Sequence, residues 1–210
     1  MSEPLHSIDD TIRRRRATRH FEPRPLPEGL LEEMLSLAVH APSGYNLQPW
    51  RFLAVTTPEA RERLAPAAYN QPQVREASVV LVCCGETRAV EDFEEVFAEA
   101  LRRGAVDERY VASARKGTRA YLGSVDLRAW AFKQTMIAVA HLMLLAESRG
   151  LDTSPMEGFV EDKVKVAFGI PESVVIPCLL AIGYGAPPEP KFAGRLPLER
   201  VLYRETWGGE

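Results

Sequence analysis

The chain has 210 residues, of which 46% are hydrophobic and 26% charged, and its formal net charge at pH 7 is −3. This length and apolar content predict a single domain with a packed core and exclude a disordered chain. The acidic balance argues against a protein whose main task is to bind nucleic-acid phosphates, and the first residues lack the apolar centre of a signal peptide, so we expect a cytoplasmic protein without a nucleic-acid partner.

The chain begins with a predicted short helix that ends in a run of arginines. Ser7, with Asp10 three residues later, predicts a helix cap, and the helix from about Ile8 runs into the basic segment 13–16. Such a run fits a solvated helix end that complements the helix dipole, a nucleic-acid contact, or a site for a phosphate-bearing ligand. The last interpretation is the sharpest, because Arg16 and Arg19 would share one helical face and guanidinium groups bind phosphate through paired hydrogen bonds.

A second predicted helix, Leu26–Ala41, leads into an unusual loop. The loop HAPSGYNLQPWRF has the prolines, glycine and asparagine of irregular backbone. It also carries Tyr45, Leu47 and Trp50, whereas a surface loop is usually polar. We therefore expect this loop to pack against the core of the chain or against a partner.

The rest of the chain mixes predicted strands and helices without a strict alternation. The predicted strands are RFLAVTT, Ser78–Gly85 and Val174–Gly185, and the predicted helices are PEARERLAPAA, charged segments within Ala89–Lys116, a long helix from about Val125 to Arg149, and VEDKVKVAFG. Cys83, Cys84 and Cys178 lie in the two apolar strands, where a thiol behaves as a small hydrophobe. Structural burial is therefore favoured over a catalytic or metal-ligand role.

The long helix contains the stretch Met136–Ala146, which is apolar on every side. This stretch is shorter than a membrane span requires, so we expect it to be fully enclosed in protein, with no membrane contact. A small protein seldom encloses a helix alone, which favours burial against a second copy of the chain. His141 is then expected to be a hydrogen-bonded core or interface residue. None of the four histidines has a metal-ligand companion at helical or turn spacing, and we predict no metal site.

The C-terminal segment, residues 186–210, combines prolines with large apolar side chains. These side chains are Leu196, Leu198, Val201, Leu202, Tyr203 and Trp207. Such a segment is too apolar to extend freely into water, so we expect it to pack as an arm on its own chain or on a partner.

Three separated motifs point to one family. RRRATRHF near the N-terminus, APSGYNLQPWRF after the second helix and TSPMEGF after the long helix together resemble the FMN-dependent nitroreductase family. Their order and spacing match across almost the whole chain, as do GYG at 183–185 and the late GRLPLE, and several motifs in one order are more specific than any one alone. The resemblance implies an α+β fold with a central, mostly antiparallel sheet between helices. It also implies one domain over residues 1–210, an arm at 186–210 that packs on the partner, and an intertwined homodimer with two FMN sites built from both chains.

The resemblance further implies a set of cofactor-binding residues. By position they are Arg15, Arg16, Ala17, Arg19, Pro42, Ser43, Gly44, Asn46, Asn70, Gln73, Met156, Glu157, Gly158 and Arg195. Arg15 and Arg16 match residues at the FMN phosphate and ribityl chain, Arg195 a late phosphate-binding arginine, and Arg19 a basic residue near the isoalloxazine. Asn70 matches a residue at the pyrimidine edge of the flavin.

Two further groups of these positions have distinct implied roles. Glu157 and Gly158 match the pair whose backbone N–H groups approach flavin N5 and O4, where donors orient the hydride acceptor and stabilise incoming charge. The segment 42–46 would come from the second subunit, so that Tyr45, Leu47 and Trp50 anchor the loop in the interface.

Three positions depart from the family pattern. Ala17 stands where the family often has serine, and Ala193 and Gln73 stand where some members have lysine. The two alanines would each cost one phosphate contact, and Gln73 would alter the redox potential of the flavin.

The implied activity is that of an FMN-dependent oxidoreductase. NADH or NADPH would deliver a hydride to FMN N5, and a nitroaromatic, a quinone or a related electrophile would then take the electrons by a ping-pong mechanism, with no catalytic side chain required. The alternative is a flavin-binding or flavin-processing protein without such turnover. The excursion at 86–124 is expected to set specificity, with Phe93, Phe97, Tyr110 and Tyr121 placed to cover the flavin. His20 and His40 are expected to be exposed or to lie just behind the cofactor.

Overall fold

The structure is a computed structural model that describes residues 5–188 and 190–208. The helices in this part of the chain are α1 (Ile8–Arg14), α2 (Leu30–Ala38), α3 (Pro58–Leu64), α4 (Pro72–Glu76), α5 (Phe93–Arg102), α6 (Glu108–Leu122), α7 (Leu127–Ser148) and α8 (Glu161–Phe168). The strands are β1 (Trp50–Val55), β2 (Val79–Glu86), β3 (Asp152–Met156) and β4 (Val174–Gly183). This content confirms the predicted α+β class.

The strands form one antiparallel sheet in the order β1-β2-β4-β3. β4 is buried along its whole length and β2 along nearly all of it, as expected for apolar runs that are covered on both faces. They therefore occupy the centre of the sheet, and β1 and β3 form its edges. Beyond β3, Ala17 makes a single parallel bridge to Thr153, which draws the segment after α1 along that edge.

Helices cover both faces of the sheet. On one face, α7 and α2 pack over alternate residues of the central strands, among them Val79, Leu81 and Leu180. On the other face, α3, α4 and α8 enclose a second cluster that includes Val80, Val82 and Leu179. Residues that alternate along one strand thus belong to different cores, as the two-residue period of a strand requires.

α7 is not fully enclosed by its own chain, so complete enclosure of Met136–Ala146 stays a prediction that depends on a second copy of the chain. Ala138, Val139 and Leu142 are fully buried against the sheet, but Ala140 and His141 are exposed. His141 is therefore not a core residue of the chain, and its Nδ1 lies 2.9 Å from the carbonyl oxygen of Ile137 on the same helix. By length and composition α7 could cross a membrane, the only such helix among the described residues, but its packing against the sheet is that of the core helix of a soluble fold.

The sequence pattern missed β3. Its Pro155 cannot donate a hydrogen bond and disfavours a strand prediction, yet it is tolerated here because β3 lies at the edge of the four-stranded sheet. The parallel bridge beside β3 also overturns the prediction that Arg16 and Arg19 share a helical face. α1 ends at Arg14, and the residues that follow are extended because they run along β3.

The excursion between β2 and α7 forms a small core of its own. Phe93 and Phe97 stack with ring centroids 4.1 Å apart and are almost fully buried among residues of α6 and α7. They hold the excursion together and are not free to cover a cofactor, which corrects that part of the prediction. Tyr110 and Tyr121 remain exposed.

Candidate active site

Arginines from both ends of the chain meet near the end of α1. The guanidinium carbons of Arg16 and Arg195 lie 4.7 Å and 5.3 Å from the centre of the Phe192 ring, so this ring holds the two side chains together. Arg15 is half-buried beside them, and its Nη1 is buried without a hydrogen-bond partner among the described residues. Burial, followed by repulsion from Arg195, lowers the pKa of the Arg15 guanidinium.

An anion would relieve this arrangement. A buried guanidinium nitrogen without an acceptor is costly, and gathered positive charges repel one another. A phosphate group supplies both the missing acceptor and the compensating charge. Carboxylates do lie nearby, since Glu147 raises the pKa of Arg15 and lies 3.6 Å from Arg14, but no residue in the described part of the chain accepts a hydrogen bond from Nη1 of Arg15.

The segment that carries these arginines is tied to the edge of the sheet. The backbone N–H of Thr18 donates to Thr153 (3.0 Å), and the Thr18 hydroxyl donates to Asp152 at 2.7 Å. Asp152 also accepts the backbone N–H of Gly185 at 3.0 Å, which joins the GYG motif to the same corner. Ala17 and Arg19 are exposed on either side of the anchored Thr18.

β3 leads from this corner to the Glu157–Gly158 pair. Met156 is buried in the core, whereas Glu157 and Gly158 are exposed. Their backbone N–H groups donate no hydrogen bond within the described part of the chain. These two N–H groups are therefore available to a ligand, as a role at the reactive edge of a cofactor requires.

A turn next to Gly158 carries the remaining predicted residues of this group. Tyr69 and Asn70 both have left-handed backbone, with φ of 53° and 56°. The Asn70 side-chain oxygen accepts a hydrogen bond from Arg75 at 2.9 Å. Gln73 is buried and donates to the side-chain oxygen of Gln71 at 3.3 Å, so its amide contacts another side chain.

The loop around Gly44 lies elsewhere, at the first half of α7. The backbone N–H of Gly44 donates to Gln134 of α7 at 2.8 Å, and the Ser43 hydroxyl accepts the backbone N–H of Gln48 at 2.9 Å. Leu47 and Trp50 are buried in the same chain, so intrachain packing anchors them and the prediction that they serve as interface anchors is wrong for these two.

Pro42, Tyr45 and Asn46 are the exposed members of this loop. Tyr45, Asn46 and Gln48 all have positive φ, between 45° and 55°. Backbone in this region is unfavourable for non-glycine residues and is often found at binding sites. The Tyr45 ring lies 5.9 Å from that of Tyr121, so Tyr121 is the residue of the excursion that reaches this loop.

The predicted site residues thus form two groups at opposite edges of the sheet. The arginine corner (Arg15, Arg16 and Arg195), the Glu157–Gly158 pair and the Asn70 turn (Tyr69 and Asn70) lie by β3. The Gly44 loop (residues 42–48) leads into β1. Two strands separate these edges, and strands are spaced about 4.8 Å apart, so the edges are about 14 Å apart. Contacts with α7 give a similar separation. The Gly44 loop contacts Gln134 and the arginine corner adjoins Glu147, and these two residues are nearly four helical turns, or about 20 Å, apart.

Three residues of these groups were not predicted from the sequence. Phe192 holds two arginines, Gln134 holds Gly44, and Gln71 contacts Gly158 with its side-chain amide at 2.7 Å. Gln71 directly follows the predicted Asn70, which is the only local signal that could have indicated one of the three.

The histidines and cysteines near these groups have other roles. His20 is exposed and lies 3.1 Å from the Glu76 carboxylate, and His40 is exposed. All three cysteines are free and buried, and burial raises the pKa of Cys84 to about 12. A thiol that resists ionisation is a poor nucleophile or ligand, which confirms structural burial as the better interpretation.

Comparison with known proteins identifies relatives of the whole chain. The model of the nitroreductase family matches residues 12–184. A protein of Thermus thermophilus named NADH dehydrogenase is 40% identical over 201 residues, which cover 95% of this chain and 96% of that protein. A Bacillus subtilis protein, provisionally named NAD(P)H nitroreductase YodC, is 34% identical over 200 residues, with 94% and 97% covered. A provisionally named nitroreductase from Exiguobacterium sibiricum, solved in complex with FMN, is 26% identical with a TM-score of 0.88 and covers 98% of this chain and 100% of that one.

Proposed function

The chain belongs to the nitroreductase family and is an NAD(P)H-dependent oxidoreductase that uses FMN, and from this premise we propose its site and its reaction. The proposed substrates are nitroaromatics, quinones and related small electrophiles. The observation that carries the proposal is the buried Nη1 of Arg15, which has no hydrogen-bond partner within residues 5–188 and 190–208 and lies beside Arg16 and Arg195.

Arg15, Arg16 and Arg195 would hold the FMN phosphate. Arg15 supplies a donor that no described residue uses, and Phe192 keeps the other two guanidinium groups within reach. Arg16 and Arg195 also donate to backbone carbonyls of their own segment, which limits the positions that their side chains adopt. Ala17, in place of a hydroxyl residue, offers no side-chain donor at this corner.

Glu157, Gly158 and Asn70 would face the flavin ring. When bound, FMN supplies a two-electron carrier that accepts a hydride at N5 from NAD(P)H and returns the electrons to a second substrate in a ping-pong cycle. The free N–H groups of Glu157 and Gly158 provide donors at that edge, and Arg19 provides positive charge for the reduced state. Arg75 orients the Asn70 side chain by donating to its oxygen.

The Gly44 loop completes the site from a second chain in an intertwined homodimer. Within one chain this loop and the arginine corner lie at opposite edges of the sheet, so a partner is needed to bring a Gly44 loop to each corner. Two exposed surfaces of the chain are evidence for a partner. α7 exposes Ala140 and His141, and the segment 196–207 exposes six large apolar side chains. We propose that residues 186–210 pack on the partner as an arm. At the base of this arm, Phe192 and Arg195 keep their contacts with their own chain.

A flavin-binding protein without turnover is the rival. The relatives' names favour the enzyme, since they include an NADH dehydrogenase and an NAD(P)H nitroreductase. Anaerobic addition of NADH or NADPH to the purified flavoprotein should bleach the flavin absorbance, and a quinone or nitroaromatic should restore it. If the flavin stays oxidised with both nucleotides, the protein is a carrier and the proposed reaction is wrong.

A further inference from the structure

Gln71 joins the Asn70 turn to the Glu157–Gly158 segment. Its side-chain nitrogen donates to the carbonyl oxygens of Gly158 at 2.7 Å and Ala68 at 3.1 Å, which uses both amide hydrogens. Its side-chain oxygen accepts from Gln73 at 3.3 Å, and Gln73 is itself only 2% exposed. Gln71 is thus held by a buried neighbour and has no hydrogen left to donate to a ligand.

The Gly158 segment is a tight turn whose direction depends on few contacts. Phe159 N–H donates to the carbonyl of Glu157 at 3.0 Å within the turn, and Val160 N–H donates to Ala67 at 2.8 Å at its end. The Gly158 carbonyl is fixed only by Gln71 among the described residues. When that carbonyl is held towards Gln71, the peptide plane between Gly158 and Phe159 is set. The N–H of that plane donates to the Glu157 carbonyl, which shares its own peptide plane with the Gly158 N–H, so the direction of the Gly158 N–H is set as well.

The geometry points to Gln71 as a positioning residue that aims the backbone N–H group of Gly158 at the reactive edge of the flavin. This inference rests on the proposed function, which places FMN at this donor. Preorganised donors act without rearrangement during the reaction, so a loosened Gly158 turn weakens their interaction with the ligand even when the fold is intact. Gln73 supports Gln71 by donating to its side-chain oxygen. This contact is a structural role for the glutamine at position 73, where some family members have lysine.

Two variants separate this role from simple stabilisation. Gln71→Leu keeps the size of the side chain and removes both donors. Gln71→Glu keeps the shape, but its ionised carboxylate has no hydrogen to donate to the Gly158 carbonyl, whereas the neutral acid has one. The matched control is Thr57→Ala, which removes the N-cap of α3 just before the same turn and does not touch Gly158.

The measurements are FMN affinity by fluorescence titration of the apoprotein and thermal unfolding of the same samples. Gln71→Leu should weaken FMN binding about tenfold, since the Gly158 carbonyl loses the hydrogen bond that orients the turn. Thr57→Ala should lower the melting temperature with FMN affinity unchanged. For Gln71→Glu, the ratio of its Kd to that of the wild type should rise between about pH 4 and pH 6 as the carboxyl ionises, because the ordinary pKa of a glutamate is about 4.3.

Dividing the Kd of Gln71→Glu by the wild-type Kd at each pH cancels every pH-dependent contribution to FMN binding that the two proteins share. These include ionisation of the FMN phosphate, of the His20–Glu76 pair and of the exposed Glu157, and the constant charge of Arg75 beside the turn. If Gln71→Leu does not fold, the pH series of Gln71→Glu decides the question alone.

The outcomes distinguish the inference from the proposed function. Wild-type affinity in Gln71→Leu, or a Kd ratio for Gln71→Glu that does not change with pH, would overturn the positioning role while FMN binding by the wild type stands. A wild-type protein that takes up no FMN would overturn the proposed function, and the inference with it.

Discussion

At the scale of single residues, Arg15 indicates an anion site through the surroundings of its guanidinium group. Its Nη1 is buried without an acceptor among the residues that the structure describes, and burial together with Arg195 and Arg16 lowers the pKa of its guanidinium. Arg61 and Arg149 each also have one buried nitrogen without a partner among the described residues, but their guanidinium groups donate to Ala77 and Glu33. Arg15 instead lies beside two further arginines, and this combination points to an anion. The resemblance to the nitroreductase family indicated Arg15 and Arg195 from the sequence. It did not indicate the Phe192 ring, which contacts both Arg16 and Arg195, because contacts between distant segments leave no local sequence pattern.

Arg195→Ala should weaken FMN binding more than Arg204→Ala. Only Arg195 lies in the arginine corner, and a charge-assisted hydrogen bond is worth roughly 1.5 to 3 kcal/mol, or about tenfold to a hundredfold in affinity. Flavin titration of the two apoproteins measures the difference. Equal losses in both variants would refute the assignment of Arg195 to the phosphate.

Gly158→Val should lose its flavin, whereas Glu157→Gln should keep it. A Cβ atom on Gly158 would lie 3.2 Å from the Gln71 amide nitrogen, so a valine would displace that amide and crowd the free N–H groups. Glu157 is proposed to act through its backbone, which the substitution leaves intact. Flavin content after purification is the measurement, and the reverse result would mean that the Glu157 side chain binds the cofactor.

At the scale of elements, α7 shows where pattern and structure diverge. Its apolar stretch predicts complete enclosure, yet one chain covers only the side that faces the sheet and leaves Ala140 and His141 exposed. Sequence periodicity reports how apolar a helix is, but it does not say whether the covering surface comes from the same chain. For β3 the pattern failed in another way, because an edge position tolerates a proline that would argue against a central strand.

Ala140→Glu should therefore disrupt the proposed homodimer. The substitution places a charge in the centre of the exposed apolar face of α7, where burial against a partner would leave it unpaired. Ala98→Glu on α5 is the matched control, since Ala98 is also an exposed helical alanine but lies on the charged excursion. Sedimentation velocity should show a monomer for the first variant and a dimer for the second, and a dimer for both would exclude this face as the interface.

For the whole molecule, the fold followed from the sequence more completely than the site did. The buried strands β2 and β4 and most helices have clear apolar patterns, which predicted a mixed order of strands and helices, and the family resemblance implied the α+β class. The division of the site into two groups was not, because it depends on the sheet order, which places β1 and β3 at opposite edges. Only the resemblance indicated that one group would come from a partner.

Removal of residues 197–210 should weaken both dimer formation and FMN retention. The described part of this segment exposes five large apolar side chains, from Leu198 to Trp207, and their burial on a partner would stabilise the dimer. The truncated chain keeps Phe192 and Arg195, so a loss of flavin would come from the lost interface. A truncated protein that remains a flavin-loaded dimer would contradict the role of the arm.

The central claim is that each FMN site combines the arginine corner of one chain with the Gly44 loop of the other, and mixed dimers test it most directly. One chain carries Arg15→Ala and Arg195→Ala, the other Ser43→Ala and Asn46→Ala, and each homodimer should bind FMN poorly. In a mixed dimer the two wild-type groups meet at one of the two sites, so FMN content should recover to about half that of the wild type. If both groups of a site came from one chain, every site in the mixed dimer would carry a lesion, and FMN content no higher than in the parent homodimers would contradict the shared site.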